Sequence, residues 1–170
     1  MLLWPCGMAL VIVWVVFHDP AIDYRVVVLG ALLPDLGDAP FGGARLATGG
    51  PSGTPAHTLV LSVVLLGVVM VATRGHRAAR RRWIFLPVGT FLHLVLDGMW
   101  TRTDTFWWPA FGWSLDGRLP FLDHGSALLG AEELAGALAL GWFWHRFGLG
   151  DPENRGRLWR TGRLPRDLAV

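Results

Sequence analysis

Long apolar stretches alternate with short polar segments along this chain. The long stretches cover residues 2–17, 57–73, 83–100 and 127–144, and a shorter one covers residues 26–33. A helix that crosses a bilayer requires about 20 predominantly apolar residues, with about 17 as the lower limit. The pattern therefore predicts an all-α fold, a polytopic transmembrane bundle of about four to five helices.

The shorter stretch, residues 26–33, cannot cross a bilayer alone. We expect it to continue a helix that begins between Asp19 and Asp23 and stops at Pro34, because the residue before a proline is disfavoured in helical conformation. Residues 34–56 are rich in Gly and Pro and are expected to form a loop.

Composition supports a membrane protein of one domain. The 170 residues are 52% apolar and only 16% charged, and the mean hydropathy is +0.42, whereas soluble domains carry about 25% charged residues. The low charge and the many Trp and Phe residues exclude a disordered chain. The single cysteine, Cys6, excludes a disulfide framework and is expected to be buried as a small apolar residue.

Positive charge is confined to a few segments. All basic residues are arginine, and most lie within residues 74–82 and 146–166. Because short cytoplasmic loops are enriched in Lys and Arg, both segments, and hence the C-terminus, are predicted to be cytoplasmic. We divide the chain into a membrane-embedded domain, residues 1–148, and a basic cytoplasmic tail, residues 149–170, whose polarity predicts poor order. This topological clustering explains the basic pI without a nucleic-acid partner.

Ionisable residues inside apolar stretches require an explanation. Each costs about 2.5 to 3.5 kcal/mol on insertion scales and usually marks function. His93 and Asp97 lie one helical turn apart and so share a helix face. The predicted topology brings further imidazole and carboxylate groups to the same outer end: Asp35, Asp38, His57, His124, Glu132 and Glu133. These groups are the ligands of zinc and similar divalent metals, so the sequence predicts a metal site there.

Each of these residues also has an ordinary structural explanation. Asp35 and Asp38 are typical of a helix cap and a turn, and His57 of an interfacial helix start. His124 falls in a loop, residues 101–125, whose aromatic side chains are typical of the headgroup region. The two glutamates at the start of the last span are also explained by a water-filled cavity or by pairing with arginine.

Several short motifs have the order and spacing of a known family. They are Leu32-Leu33-Pro34-Asp35-Leu36-Gly37-Asp38, His57-Thr58-Leu59, Leu92-His93-Leu94-Val95-Leu96-Asp97-Gly98 and Trp108-Pro109. From about residue 35 to 109 the chain resembles the YdjM-like bacterial membrane-bound metal-dependent hydrolases. The resemblance implies a multi-pass protein of the bacterial inner membrane, with Asp35, His57, His93 and Asp97 as metal ligands and Asp38 as a further polar member. It also implies a remote similarity to zinc-dependent phospholipase C and P1-type nucleases, which cleave phosphoesters.

Two departures from the family pattern stand out. Members commonly carry a histidine near the N-terminus, where this chain reads Trp4-Pro5-Cys6-Gly7, and Ala56 replaces the usual glycine before the second motif's histidine. The first departure leaves open a site with fewer metal ions or weaker activity.

Taken with this resemblance, the sequence predicts an integral membrane metal-dependent hydrolase at the extracytoplasmic face. The resemblance to phosphoesterases implies a phosphoester or lipid-like substrate. The predicted cofactor is zinc, and membrane lipids and a small-molecule or lipid-like substrate are the expected partners. The expected metal ligands are Asp35, His57, His93, Asp97 and His124, and the expected catalytic residues, which act on a metal-activated water, are Asp38, Glu132 and Glu133. The alternative is a non-catalytic membrane scaffold with a structural metal or a polar helix–helix network. A small transporter subunit is a third hypothesis, but it needs polar residues throughout the membrane depth.

Overall fold

The computed structural model describes residues 2–48, 55–113 and 125–165, with the backbone alone for residues 38–48. The elements in chain order are α1 (Leu3–Phe17), α2 (Tyr24–Thr48), a 3-10 turn (Pro55–His57), α3 (Leu59–Ala72), α4 (Arg77–Trp83), α5 (Phe85–Leu96), a second 3-10 turn (Met99–Thr101), α6 (Thr103–Phe106), α7 (Ser126–Arg146) and α8 (Pro152–Thr161). Within these ranges no β-strand occurs, so the all-α prediction is confirmed.

The transmembrane part of the fold prediction is not confirmed. Among the described residues, no helix combines the length and the apolar character that a bilayer crossing requires.

The course of α2 corrects the sequence-based prediction. The helix was expected to stop at Pro34, but it continues to Thr48. A proline inside a helix leaves the carbonyl one turn earlier without its usual N–H donor. That carbonyl belongs to Gly30, and the hydroxyl of Thr90 on α5 lies 3.1 Å from its oxygen. Because a neighbouring helix supplies a donor, α2 continues past Pro34, and Asp35 lies inside it.

Close packing of α2 against α5 positions the candidate site. A β-carbon added to Gly30 would overlap the backbone oxygen of Leu86, and one added to Gly89 would overlap the backbone oxygen of Val27. Only glycine therefore permits this approach of the two backbones. The adjacent Ala31 is fully buried in the interface, and this proximity brings its carbonyl group to α5.

The segment after α7 is also more ordered than predicted. Residues 150–170 were expected to be poorly ordered, but within the described part, up to residue 165, Pro152–Thr161 form α8, which Asp151 caps through a 2.8 Å hydrogen bond from the Glu153 backbone N–H. Beyond α8, the Leu164 N–H donates to the Pro20 carbonyl over 3.0 Å. Leu164 and the nearby Phe147 are almost fully buried in the main core. A few apolar residues thus anchor an otherwise polar segment.

Candidate metal centre

Three separate parts of the chain bring four ligand-type side chains together. Asp35 comes from α2, His57 from the 3-10 turn before α3, and His93 and Asp97 from the end of α5. One ligand atom from each lies within 4.8 Å of all the others. The predicted clustering of Asp35, His57, His93 and Asp97 is therefore confirmed.

The distances within the cluster suit a single small ion. His93 Nε2 lies 3.2 Å from Asp97 Oδ2, 3.3 Å from His57 Nε2 and 3.7 Å from Asp35 Oδ1. His57 Nε2 lies 3.8 Å from the same Asp35 oxygen. Four ligands on a tetrahedron with bonds of about 2.1 Å are separated by about 3.4 Å. These four separations are close to that value and none of the six exceeds 4.8 Å, so the residues fit zinc or a metal of similar size.

A backbone carbonyl fixes the orientation of the His93 ring. His93 Nδ1 lies 2.6 Å from the Ala31 oxygen on α2. A carbonyl oxygen only accepts hydrogen bonds, so Nδ1 donates its proton there. In the neutral imidazole this leaves the Nε2 lone pair facing the cluster, as is usual for a metal-ligating histidine. This contact leaves no signal in the sequence, because any residue at position 31 provides a carbonyl.

The position of His57 follows from the start of α3. Thr58 caps that helix, accepting from the Leu61 N–H over 3.4 Å, and its hydroxyl donates to the Pro55 carbonyl over 2.8 Å. These bonds hold the turn that carries His57. The His57 ring then packs edge-on against His93, with ring centroids 5.3 Å apart.

The cluster is largely buried, so the negative charge of its two aspartates requires compensation. His93, His57 and Asp97 are 0%, 1% and 4% exposed, and the Asp35 side chain is 19% exposed. Within the described part of the chain, Asp97 Oδ1 is buried without a hydrogen-bond partner. Buried carboxylates are costly unless a cation or hydrogen bonds compensate them. A divalent metal ion bound there would compensate this charge.

The remaining predicted site residues do not join the described cluster. The side chain of Asp38 and the whole of His124 lie outside the described residues. Glu133 accepts hydrogen bonds from the backbone N–H groups of Leu2 and Leu3, at 2.9 and 3.0 Å, at the start of α1. Glu132 is half-buried. The catalytic roles of Asp38, Glu132 and Glu133 stay predictions.

Fold and site together define an all-helical protein with a buried group of two histidines and two aspartates that could hold a metal ion. A family model described as "YdjM inner membrane protein" matches residues 5–149. The chain therefore belongs to the YdjM inner membrane protein family, which confirms the resemblance seen in the motifs. A search of the curated proteins and a search of the solved structures each found no significant match. The remote similarity to phospholipase C and P1-type nucleases stays a prediction.

Proposed function

We propose that this protein is an inner-membrane metal-dependent hydrolase whose divalent metal, zinc, is held by Asp35, His57, His93 and Asp97. The observation that carries the proposal is the convergence of these four ligand atoms, from three chain segments, within 4.8 Å of one another. Two imidazole nitrogens and two carboxylate oxygens form a donor set typical of zinc sites.

The family and the exposed surface of α3 support a membrane location. This helix exposes a run of large apolar side chains, from Val63 at 58% to Val71 at 75%. Soluble monomers rarely expose a large contiguous apolar patch. We propose that these side chains contact membrane lipids.

The positions of the arginines support an assignment of the site to one side of the membrane. The arginines of α4 and those that end and follow α8 surround one pocket, as expected if both segments are cytoplasmic. His93 lies about 12 Å along α5 by helical rise from Phe85, the residue that begins this helix directly after α4, and so lies toward the opposite end. We therefore propose an extracytoplasmic metal centre and a cytoplasmic C-terminus.

The chain's own residues indicate how such a site works. A divalent ion bound there supplies a water of lowered pKa and polarises a phosphoryl oxygen. The Ala31 carbonyl accepts a hydrogen bond from His93 Nδ1 over 2.6 Å and so orients the ring, while Asp97 Oδ2 lies 3.2 Å from Nε2 on the ligand side. Asp35 is the most exposed of the four side chains, so substrate approaches over this residue.

The aromatic segment after α5 is suited to an apolar substrate. Phe106 on α6 packs with Leu94 and Met99 beside the cluster, and α6 contacts the turn that carries His57. Trp107 and Phe111, in contrast, are 40% and 74% exposed. We propose that these aromatics guide a lipid-like phosphoester toward Asp35.

Hydrolysis of bis(p-nitrophenyl) phosphate by the detergent-purified full chain tests this proposal. We expect zinc-dependent turnover that EDTA abolishes, with a loss of about 100-fold or more in Asp35→Asn, since a ligand matters at least as much as an outer-sphere group. Asp104→Asn, an exposed carboxylate on α6, is the matched control and should keep full activity. Turnover that is unaffected by EDTA and by Asp35→Asn contradicts the proposal.

The near-complete burial of three ligands favours a second candidate, a structural metal site in a non-catalytic membrane scaffold. Structural zinc sites have four protein ligands and no open position. In that case EDTA lowers the melting temperature of the protein, but phosphoesters are not cleaved. If the protein is a hydrolase, removing zinc lowers both the melting temperature and the turnover of phosphoesters.

A further inference from the structure

The arginine-lined pocket lies at the end of the helices remote from the cluster of Asp35, His57, His93 and Asp97. Its volume is about 970 Å³, and it is bordered by the start of α2, by α4 and by the end of α8. By helical rise, Asp23 in this pocket lies about 18 Å from Asp35 along α2. Six arginines line the pocket: Arg25, Arg77, Arg81, Arg82, Arg160 and Arg163.

The aspartates near these six arginines neutralise only some of their positive charges. Asp23 pairs with Arg25 and Arg82, at 2.9 and 2.8 Å, and Asp19 pairs with Arg81 at 2.6 Å. In the described part of the chain, none of the remaining three, Arg77, Arg160 and Arg163, forms an ion pair. The pocket therefore carries a strong excess of positive charge.

The wall formed by the C-terminal segment is fixed by specific contacts. Gly162 follows α8 with φ +74°, and a β-carbon there would overlap the carboxylate of Asp23. The Gly162 carbonyl accepts from the Tyr24 N–H over 2.8 Å, and Arg25 Nη1 donates to the Trp159 carbonyl over 2.6 Å. Glycine thus lets the end of α8 dock on the start of α2, which holds arginines from distant parts of the sequence around one cavity.

The size and chemistry of the pocket match a phosphate-bearing ligand. Ligand pockets typically enclose about 300 to 1,000 Å³. The planar guanidinium group binds the oxygens of phosphate or carboxylate in pairs and is weakly hydrated, and a phosphate group has enough oxygens to contact several clustered arginines at once. Trp83, beside the Arg82 guanidinium at 5.3 Å, and Trp159 are 37% and 71% exposed. Exposed tryptophans next to clustered arginines are typical of a surface at the level of lipid headgroups.

We propose that this arginine pocket binds a phosphate group, carried either by the headgroup of an anionic phospholipid or by a free phosphate compound. This phosphate-binding pocket is separate from the cluster of two aspartates and two histidines, and phosphate binding there does not require hydrolase activity. Because its walls come from α2, α4 and α8, an occupant links the C-terminal segment to the helical bundle.

The test measures the melting temperature of the full-length protein in a zwitterionic detergent. In one series phosphatidylglycerol is added to the micelles, with phosphatidylcholine as the neutral reference; in the other, inorganic phosphate is added at constant ionic strength. The pocket variant is Arg77→Gln with Arg163→Gln. The control is Arg74→Gln with Arg155→Gln, which removes the same charge from two residues outside the pocket.

We expect a saturable rise in melting temperature, with an apparent affinity at least tenfold weaker in the pocket variant and within about twofold of wild type in the control. A response to phosphatidylglycerol alone assigns the phosphate to a lipid, and a response to inorganic phosphate shows that a free phosphate compound is also accepted. No saturable response to either probe, or an equal loss in the two double variants, overturns the proposal. Zinc content, measured on the same samples, should not change in either double variant.

Discussion

Thr90 on α5 places its hydroxyl 3.1 Å from the backbone oxygen of Gly30 on α2, the acceptor that Pro34 leaves without a helical donor. The same hydroxyl lies 3.1 Å from the Leu86 carbonyl of its own helix. Thr90 is fully buried and lies one helical turn before His93. The Thr90 side chain thus stabilises the proline-containing part of α2 beside the cluster of two aspartates and two histidines.

Thr90→Val should destabilise the protein. Valine has a similar shape but no donor, so the buried Gly30 carbonyl loses its partner at a cost of about 1 to 3 kcal/mol. Thermal unfolding in detergent measures the effect. Thr90→Ser keeps the hydroxyl and should retain most of the stability, so equal melting temperatures for the Val and Ser variants would refute this role.

Gly89→Ala should separate α2 from α5. The added β-carbon would overlap the Val27 backbone oxygen and lie 2.9 Å from the Ala31 nitrogen, and overpacking of this kind costs about 1 to 3 kcal/mol. We expect a lower melting temperature and weaker zinc binding, because Ala31 orients His93. Gly67→Ala on α3 is the control, since no atom lies within 4 Å of its added β-carbon. Equal melting temperatures for Gly89→Ala and Gly67→Ala would contradict the close packing of α2 against α5.

Asp23 should make stability depend on pH at the arginine end. Burial alone would raise the pKa of this carboxyl, but hydrogen bonds from Arg25 and the charges of Arg25 and Arg82 hold it below its usual value. A lowered folded-state pKa contributes stability that is present above the unfolded-state pKa of about 3.9 and is lost as the pH falls through the folded-state pKa.

Asp23→Asn should therefore lower the melting temperature at pH 7, and the difference from wild type should shrink as the pH falls below about 4. Melting curves between about pH 3 and 7 measure this difference. A difference that does not vary with pH would show that the charge of Asp23 makes no contribution.

The sequence correctly predicted the features that depend on local residue patterns, such as the positions of the main helices. The long apolar stretches located α1, α3, α5 and α7 to within a few residues, and the spacing of His93 and Asp97 placed both on one helix face. The convergence of Asp35 and His57 with them was predicted from topology and from the family motifs, and the distances confirm it.

The sequence failed where the structure depends on distant partners. The end of α2 was misplaced because local rules stop a helix at Pro34, whereas the compensating donor, Thr90, is distant in sequence. The C-terminal segment was expected to be poorly ordered because it is polar on average, yet Gly162 and Leu164 dock it on the start of α2. Such contacts leave no local pattern in the sequence.

The metal content of the purified protein tests the central claim most directly. The measurement compares wild type with His93→Ala/Asp97→Asn and with the control His76→Ala/Asp104→Asn, which changes the same residue types at exposed positions. Asp35→Asn, at the most exposed ligand, is included because it disturbs packing least, and circular dichroism verifies that each variant is helical. We predict zinc that stays bound through purification in the wild type and in the control, and at least tenfold less bound zinc in both cluster variants. Equal metal content in all four proteins would contradict the account.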